Sequence, residues 1–223
     1  LKDPSGPVRS RAARDLGVLE DSVAIPALAA RLDDPDDSVR DCVVEALGRI
    51  GGPDAAKVLL SALERSEPHV HKYVIRALGA TKAPEAAPAL LNALHDEDPS
   101  IRVAAAAALG VLGDSTAVPA LVATLDDESD PAASNAADAL GAIGDYSALQ
   151  PLIHALQHAS DFARCAAATA LGRLGHPEAI PSLDAASDDA YPAVRREAST
   201  ALGAIGDVRA VAPLVRALQD GES

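Results

Sequence analysis

The sequence predicts an all-α fold: an α-α superhelix, or solenoid, built from seven 31-residue two-helix repeats. Ala supplies 50 of the 223 residues, and aromatic residues make up only 2%, a composition that favours closely packed helices over sheets. A Leu-Gly dipeptide also recurs with a 31-residue period, which indicates stacked units rather than a single globular core. Its leucines are Leu16, Leu47, Leu78, Leu109, Leu140, Leu171 and Leu202.

We place the repeats at residues 2–32, 33–63, 64–94, 95–125, 126–156, 157–187 and 188–218. One helix pair cannot cover its own apolar face, so we expect the repeats to stack as a single α-solenoid over residues 1–223. Leu1 falls in the column that ends each repeat, and residues 219–223 begin another break. We therefore expect a segment of a longer array, or ends that meet another copy in end-to-end self-association.

The first helix of each repeat, called the V-R helix here, is typified by residues 100–112, SIRVAAAAALGVL. Ile101, Ala105 and Leu109 share one face at helical spacing. Gly inside a helix costs about 0.5–1 kcal/mol relative to Ala, so its presence in all seven repeats predicts close backbone approach between neighbouring helices. A Gly-Asp turn such as Gly113-Asp114 ends the helix.

The second helix, called the A-V-P helix here, is typified by residues 114–125, DSTAVPALVATL. Asp114 is a suitable acceptor for the free N–H groups at its start. Pro119 lies within the first turn, where a missing N–H costs little. An acidic break such as Asp126-Asp127 then separates one repeat from the next.

The charge balance excludes several classes of partner. With 19 basic and 33 acidic residues the net charge is −14, which argues against nucleic acid and against an anionic membrane surface. Asp (23) outnumbers Glu (10) and Arg (15) outnumbers Lys (4), a usage typical of halophilic proteins that stay soluble in high salt. Cys42 and Cys165 lie too far apart along the stack for a disulfide, as expected of a cytoplasmic protein.

Residues 101–125, IRVAAAAALGVLGDSTAVPALVATL, resemble the HEAT-like repeats named from phycobilisome (PBS) lyase subunits. The resemblance covers the whole chain and is specific for an armadillo-like helical fold, but not for an activity. It implies that the V-R helices line a concave groove. It also implies a structural ladder that joins Arg9, Arg40, Arg102, Arg164 and Arg195 to the turn acids Asp21, Asp114, Asp145 and Asp207.

His71 and Ala133 interrupt this arginine column, so we expect the ladder to be weakest in the third and fifth repeats. Positions one, two, five and nine after the column are expected to face the groove. In repeats one to three they supply cations and one aromatic ring, and repeat six adds another cation. The candidate partner-binding residues are Arg11, Arg14, Cys42, Glu45, Arg49, Lys72, Tyr73, Arg76 and Arg173, with His69 close by.

Arg and Tyr are common anchors in protein interfaces, so we expect this groove to bind a protein or an acidic peptide. The alternative is that Arg11 and Arg14 merely pair with Asp41 and Glu45 of the next repeat. The sequence therefore predicts a non-catalytic protein-binding scaffold.

Signals for catalysis and cofactors are weak. His154 and His158 are four residues apart, but no third ligand in that helix completes a metal site. Deoxyhypusine hydroxylases resemble this architecture and place His-Glu pairs around a di-iron centre, whereas this sequence has no His-Glu pair. No cofactor is expected, and the alternative function is that of a phycobilin lyase-like subunit that handles a chromophore.

Overall fold

The computed structural model describes residues 2–65 and 68–219, without the side chains of Pro68, His69, His158 and Gln219. Within those ranges the chain forms fourteen α-helices and no strand, which confirms the all-α fold and the two-helix repeat. The successive pairs are α1 (Gly6–Leu19) and α2 (Ile25–Ala29), α3 (Asp37–Ile50) and α4 (Gly52–Arg65), α5 (Pro68–Ala80) and α6 (Ala87–Ala93), α7 (Pro99–Leu112) and α8 (Val118–Thr124), α9 (Asp130–Ile143) and α10 (Leu149–His158), α11 (Asp161–Leu174) and α12 (Ile180–Ala186), and α13 (Pro192–Ile205) and α14 (Val211–Gln219).

Two leucine columns form the core between the helices of each pair. The V-R helices contribute Leu47, Leu78 and their equivalents, and the A-V-P helices contribute Leu28, Leu59 and theirs. These four side chains have no exposed surface. Burial of a Leu side chain contributes about 1.5–3 kcal/mol, and the column repeats along the chain, so every helix pair is held together in the same way.

Short turns position the A-V-P helices. Six of them follow a three-residue 3-10 turn, and in the fourth repeat the Asp114 carboxylate accepts from the Thr116 N–H at 2.9 Å. Gly144 ends α9 in the left-handed conformation, at φ 75°. The second repeat differs: Gly51-Gly52-Pro53 replaces the usual turn, and α4 starts at once and runs for 14 residues.

The repeated glycine allows the predicted close approach between neighbouring V-R helices. A Cβ added to Gly79 would lie 2.6 Å from the Ala108 Cα, and one on Gly141 would lie 2.7 Å from the Ala170 Cα. Real Cβ atoms do not come so close to a neighbour, so no larger residue fits without a shift of the helices. This contact sets the spacing of successive repeats.

The helices group into two compact units, residues 1–112 and 113–223. In the N-terminal unit α1, α3, α5 and α7 pack side by side, and the A-V-P helices pack against them. In the C-terminal unit α9, α11 and α13 make the corresponding layer. Each unit therefore presents one continuous surface of V-R helices.

Candidate protein-binding face

The surface formed by α1, α3 and α5 in the N-terminal unit carries most of the predicted partner-binding residues, and we call it the V-R face. Arg11, Arg14, Glu45, Arg49 and Arg76 are exposed on it. Tyr73 is 46% exposed, Lys72 is half-buried and Cys42 is buried beneath them. The predicted His69 side chain lies outside the described residues.

Two of the arginines form ion pairs within their own helices. Arg11 donates to Asp15 at 3.0 Å in α1, and Arg49 donates to Glu45 at 2.7 Å in α3. Both pairs are exposed and span one helical turn, where an ion pair contributes only about 0.3–0.5 kcal/mol. A partner carboxylate can therefore compete for either guanidinium.

Arg14 connects α1 to α3. Its Nη2 donates to the Cys42 sulfur at 3.4 Å, and this bond, followed by attraction to Cys42 and Glu45, raises the pKa of Arg14. Arg11 pairs with Asp15 rather than with Asp41. The alternative in which both arginines simply bond to the next repeat is therefore wrong for Arg11, and for Arg14 the bonded partner is a thiol rather than Glu45.

The α5 part of the face is the most available for a ligand. The Lys72 Nζ lies 5.1 Å from the centroid of the Tyr73 ring, a cation–π distance. Arg76 is exposed and makes no hydrogen bond or ion pair with the residues that the structure describes. A phenol, an ammonium and an unpaired guanidinium therefore lie on one exposed helix surface.

The C-terminal unit contributes the remaining predicted residue. Arg173 lies 3.8 Å from an Asp138 carboxylate oxygen. Burial raises the pKa of Asp138, and the attraction of Arg173 opposes the rise. Arg173 is thus held by an acid of the preceding V-R helix.

The arginine ladder exists, but its acids differ from those predicted. Arg9 donates to both carboxylate oxygens of Asp34, at 2.9 and 2.7 Å, and Arg164 does the same to Asp189 at 2.8 and 2.9 Å. Each acid lies 25 residues after its arginine, at the break before the next V-R helix. The arginine hydrogen bond lowers the pKa of Asp34 and of Asp189.

The four predicted acids have another role. Their carboxylates accept backbone N–H groups two residues ahead and so begin the 3-10 turns, because a short acidic side chain at that position is within reach of its own turn. These acids are Asp21, Asp114, Asp145 and Asp207. The correct column was present in the sequence, since Asp recurs there at the same period.

The other ladder arginines hold backbone carbonyl groups. Arg102 donates to the carbonyls of Asp96 and Glu97, and Arg195 to those of Asp189 and Ala190. Arg40 donates to the Asp34 carbonyl at 2.6 Å. All three arginines thus brace the turn at the start of their own helix.

A cleft of about 400 Å³ lies between the second and third repeats. The position that holds Asp in the Arg9 and Arg164 pairs holds Arg65 here. A second cleft, of about 240 Å³, lies where Ala133 replaces the column arginine. Both clefts coincide with interruptions of the ladder, but a third cleft, of about 170 Å³, lies beside Arg195, where the arginine column is intact. The walls of the larger cleft include Arg40, Asp41, Val44, Arg65, Tyr73 and Val74.

Other chemical features are few. Cys42 and Cys165 are free thiols, and burial raises the pKa of Cys165. Across residues 2–65 and 68–219, no three His, Cys, Asp or Glu side chains are grouped as metal ligands. Over the same ranges no helix has the length and hydropathy needed to span a bilayer.

The family model described as HEAT repeats matches residues 1–70, 57–134, 123–192 and 163–223. The chain belongs to the HEAT-repeat family. This confirms the repeat type and the α-solenoid that its residues predicted. No curated protein matches this chain in sequence.

Solved structures share the fold. The chain is similar to YibA of Escherichia coli, with 20% identity, TM-score 0.65 and coverage of 100% of this chain and 85% of that one. It is similar to the complex of CpcE and CpcF of phycocyanin lyase from Nostoc sp. PCC7120, with 22% identity, TM-score 0.58 and coverage of 98% and 90%. A designed armadillo repeat protein in complex with the peptide (KR)4 has 21% identity, TM-score 0.54 and coverage of 81% and 99%.

Proposed function

We propose that this HEAT-repeat chain is a non-catalytic scaffold whose V-R face binds an acidic peptide or the acidic surface of a protein. The observation that carries the proposal is the group of exposed Tyr73 and Arg76 with half-buried Lys72 on α5. Guanidinium, ammonium and phenol groups bind carboxylates by charge-assisted hydrogen bonds. They are also displayed on a rigid helix, so little conformational entropy is lost when a partner binds.

Electrostatics supports an acidic partner. The chain has a net charge of −14, yet the V-R face carries five cations, of which Arg11 and Arg49 hold only weak exposed pairs. A local positive region on an acidic molecule focuses potential and orients a negative partner toward it. The basic peptide in the armadillo complex is a ligand of that designed protein, and this face has the opposite charge preference.

The proposal is tested by capture from the native source at native salt, followed by titration of the purified partner. An Arg49→Glu/Arg76→Glu variant is expected to bind at least tenfold more weakly. A Lys57→Glu/Lys82→Glu variant makes the same change in net charge at exposed sites outside the V-R face, and it is expected to bind normally. Equal binding by both variants contradicts the proposal.

A chromophore-handling function is the second candidate, because the similar phycocyanin lyase complex covers nearly the whole chain. Tyr73 and Arg76 offer a ring for stacking and a guanidinium for a propionate. Mixing the chain with an open-chain tetrapyrrole tests it. A shift of the absorbance band that Arg76→Ala abolishes supports this function, and an unchanged spectrum without co-elution contradicts it.

The composition supports a working environment of high salt in a cytoplasm. Asp-rich surfaces repel one another at low salt, and screening relieves that repulsion. The melting temperature is expected to rise steadily as KCl is added up to molar concentrations. A melting temperature independent of salt contradicts this environment.

We also propose that copies of the chain can associate end to end. In α1 the column that is Ala46, Ala77 and Ala108 in later repeats holds Asp15, and its exposed carboxylate is paired with Arg11, so a contact of the repeat type meets a charged side chain there. Light scattering at high protein concentration tests the association, and a strict monomer contradicts it.

A further inference from the structure

The ladder pairs Arg9–Asp34 and Arg164–Asp189 show how this fold binds a carboxylate between repeats. Arg164 directs Nε and Nη2 to the Asp189 oxygens and Nη1 to the carbonyl of Ala159. Arg9 does the same with Asp34 and with the carbonyls that precede α1. In each pair the Nε–Nη2 edge of the guanidinium donates two hydrogen bonds to a carboxylate of the next repeat, a strong and directional arrangement.

Arg40 makes the hydrogen bond to a backbone carbonyl but lacks the bidentate pair with an acid. Its Nη1 donates to the Asp34 carbonyl at 2.6 Å, as in the complete pairs, but Arg65 stands 25 residues ahead, where the acid belongs. Its Nη2 bonds instead to the exposed Asp37 of its own helix. Among the described residues, nothing accepts a hydrogen bond from its Nε.

The missing acid coincides with looser packing. A Cβ added to Gly48 would lie 3.1 Å from its nearest neighbour, Ala77, whereas the equivalent distance at the other glycines that meet a V-R helix is 2.6–2.9 Å. The cleft of about 400 Å³ opens between these helices. Its wall includes Val44, Val70 and Val74. The cleft therefore has charged guanidinium groups and an apolar wall side by side.

We propose that this cleft receives an Asp or Glu side chain of a partner protein, followed by an aliphatic residue. The partner carboxylate takes the position of the missing ladder acid on Arg40, with Arg65 as a second cation, and the aliphatic side chain packs against Val44 and Val74. This inference rests on the proposed function and names the chemistry that the partner contributes at one subsite.

The acids that the structure describes around the cleft do not already fill this role. Asp34 is fully committed to Arg9 and also lies 3.6 Å from Arg31. Asp33 is exposed and 3.9 Å from Arg65, and Asp41 is exposed on the rim. Asp37 is 83% exposed and holds Arg40 within one helical turn, an arrangement that a bidentate ligand can replace at small cost.

The test uses the full chain and a fluorescein-labelled octapeptide of alternating Glu and Leu, followed by fluorescence anisotropy. Arg65→Asp places an acid of the chain itself at the ladder position, where it can pair with Arg40. This variant is expected to bind the peptide at least tenfold more weakly and to have a higher melting temperature. Arg40→Lys keeps the charge but removes the planar guanidinium that donates two parallel hydrogen bonds. It is also expected to weaken binding tenfold. Lys57→Asp, with the same charge change on α4, is expected to bind normally.

Two further peptides separate the outcomes. A Gln-Leu octapeptide keeps the length and the apolar side chains without charge, and a Lys-Leu octapeptide reverses the charge. Binding of either as tightly as the Glu-Leu peptide overturns the proposal, as does undetectable binding of the Glu-Leu peptide. Unchanged affinity in both Arg65→Asp and Arg40→Lys also overturns it.

Failure here is distinct from failure of the proposed function. If Arg49→Glu/Arg76→Glu loses the native partner while Arg65→Asp keeps both partner and peptide, the V-R face binds without this subsite. If the peptide depends on Arg40 and Arg65 but the native partner is indifferent to Arg49→Glu/Arg76→Glu, the subsite stands and the wider face does not. An Arg65→Asp chain that fails to melt higher, with normal peptide binding, rejects the subsite outright.

Discussion

Arg9 and Asp34 form a buried ion pair with two hydrogen bonds, which links the first V-R helix to the turn before the second. The Asp34 side chain has no exposed surface, and its second role is to accept the Asp36 N–H. One carboxylate thus fixes both the turn of its own repeat and the position of the preceding helix. Arg164 and Asp189 repeat the arrangement in the C-terminal unit.

Loss of a ladder acid is expected to destabilise the fold. Asp189→Asn keeps an acceptor for the Tyr191 N–H but leaves the Arg164 charge unbalanced, and it is expected to cost about 2 kcal/mol of unfolding free energy. Asp188→Asn, at an exposed neighbour, is the control and is expected to change it by less than about 0.5 kcal/mol. Urea unfolding measures both, and equal values contradict the structural role of the pair.

The same pairs predict the acid sensitivity of the fold. The pKa values of Asp34 and Asp189 are lowered in the folded chain, so the unfolded chain takes up those protons first as pH falls. Their stabilisation is complete above the ordinary Asp pKa of about 3.9 and is lost as pH falls through the lower folded-state values. The drop in unfolding free energy between about pH 6 and pH 3 is expected to be smaller in Asp189→Asn.

The repeated glycines are expected to differ in their tolerance of Ala according to the neighbouring helix. Gly79→Ala forces a methyl group into the Ala108 backbone and is expected to cost about 1–3 kcal/mol. Gly48→Ala, at the looser contact, is expected to cost less. Among the described residues Gly203 has no neighbour within 4 Å of an added Cβ, so Gly203→Ala is expected to stabilise the chain by about 0.5–1 kcal/mol. Thermal unfolding of the three variants checks this order, and a reversed order contradicts it.

Lys82 carries local backbone strain. It adopts φ 52° at a turn position where most other repeats have Gly, as at Gly144. Lys82→Gly removes the left-handed penalty, and it is expected to stabilise the chain by about 0.5–1 kcal/mol. Lys57→Gly, within α4, is the control and is expected to destabilise it by about 1 kcal/mol. A loss of stability in both variants argues against strain at Lys82.

Asp207 is expected to titrate unusually low. Two hydrogen bonds from the Arg209 side chain, and one from its backbone N–H, lower the pKa of Asp207 to about 2. Arg209→Ala removes the largest cause and is expected to return the pKa partway toward about 3.9. Carbon-detected NMR of the carboxyl group measures it, with Asp145 as the reference because its hydrogen-bond partners are the backbone N–H and the side chain of Ser147 rather than a guanidinium. No change in the variant contradicts the role of the guanidinium.

Periodicity predicted much of the candidate site, but the acids of the arginine ladder were assigned wrongly. The spacing from the arginine column placed Arg14, Tyr73 and Arg76 on one exposed face, because helical geometry alone dictates which side chains share a surface. The ladder acids, which were assigned from the resemblance to HEAT-like repeats, were wrong, and the period did not correct them because two Asp columns share it with the arginines. A period cannot tell which column lies within reach of a guanidinium in the neighbouring repeat.

The helix pairs, the capping turns and the Gly column at the V-R contacts follow from local residue chemistry and the 31-residue period, and the sequence by itself determined them. Only the tertiary structure decided which acid each arginine meets, which cations of the V-R face are already paired and where the stack opens. Those outcomes depend on angstrom differences in how one repeat docks on the next. The sequence shows Arg65 where the acid partner of Arg40 belongs, but only the tertiary structure shows that a cleft of about 400 Å³ lies there.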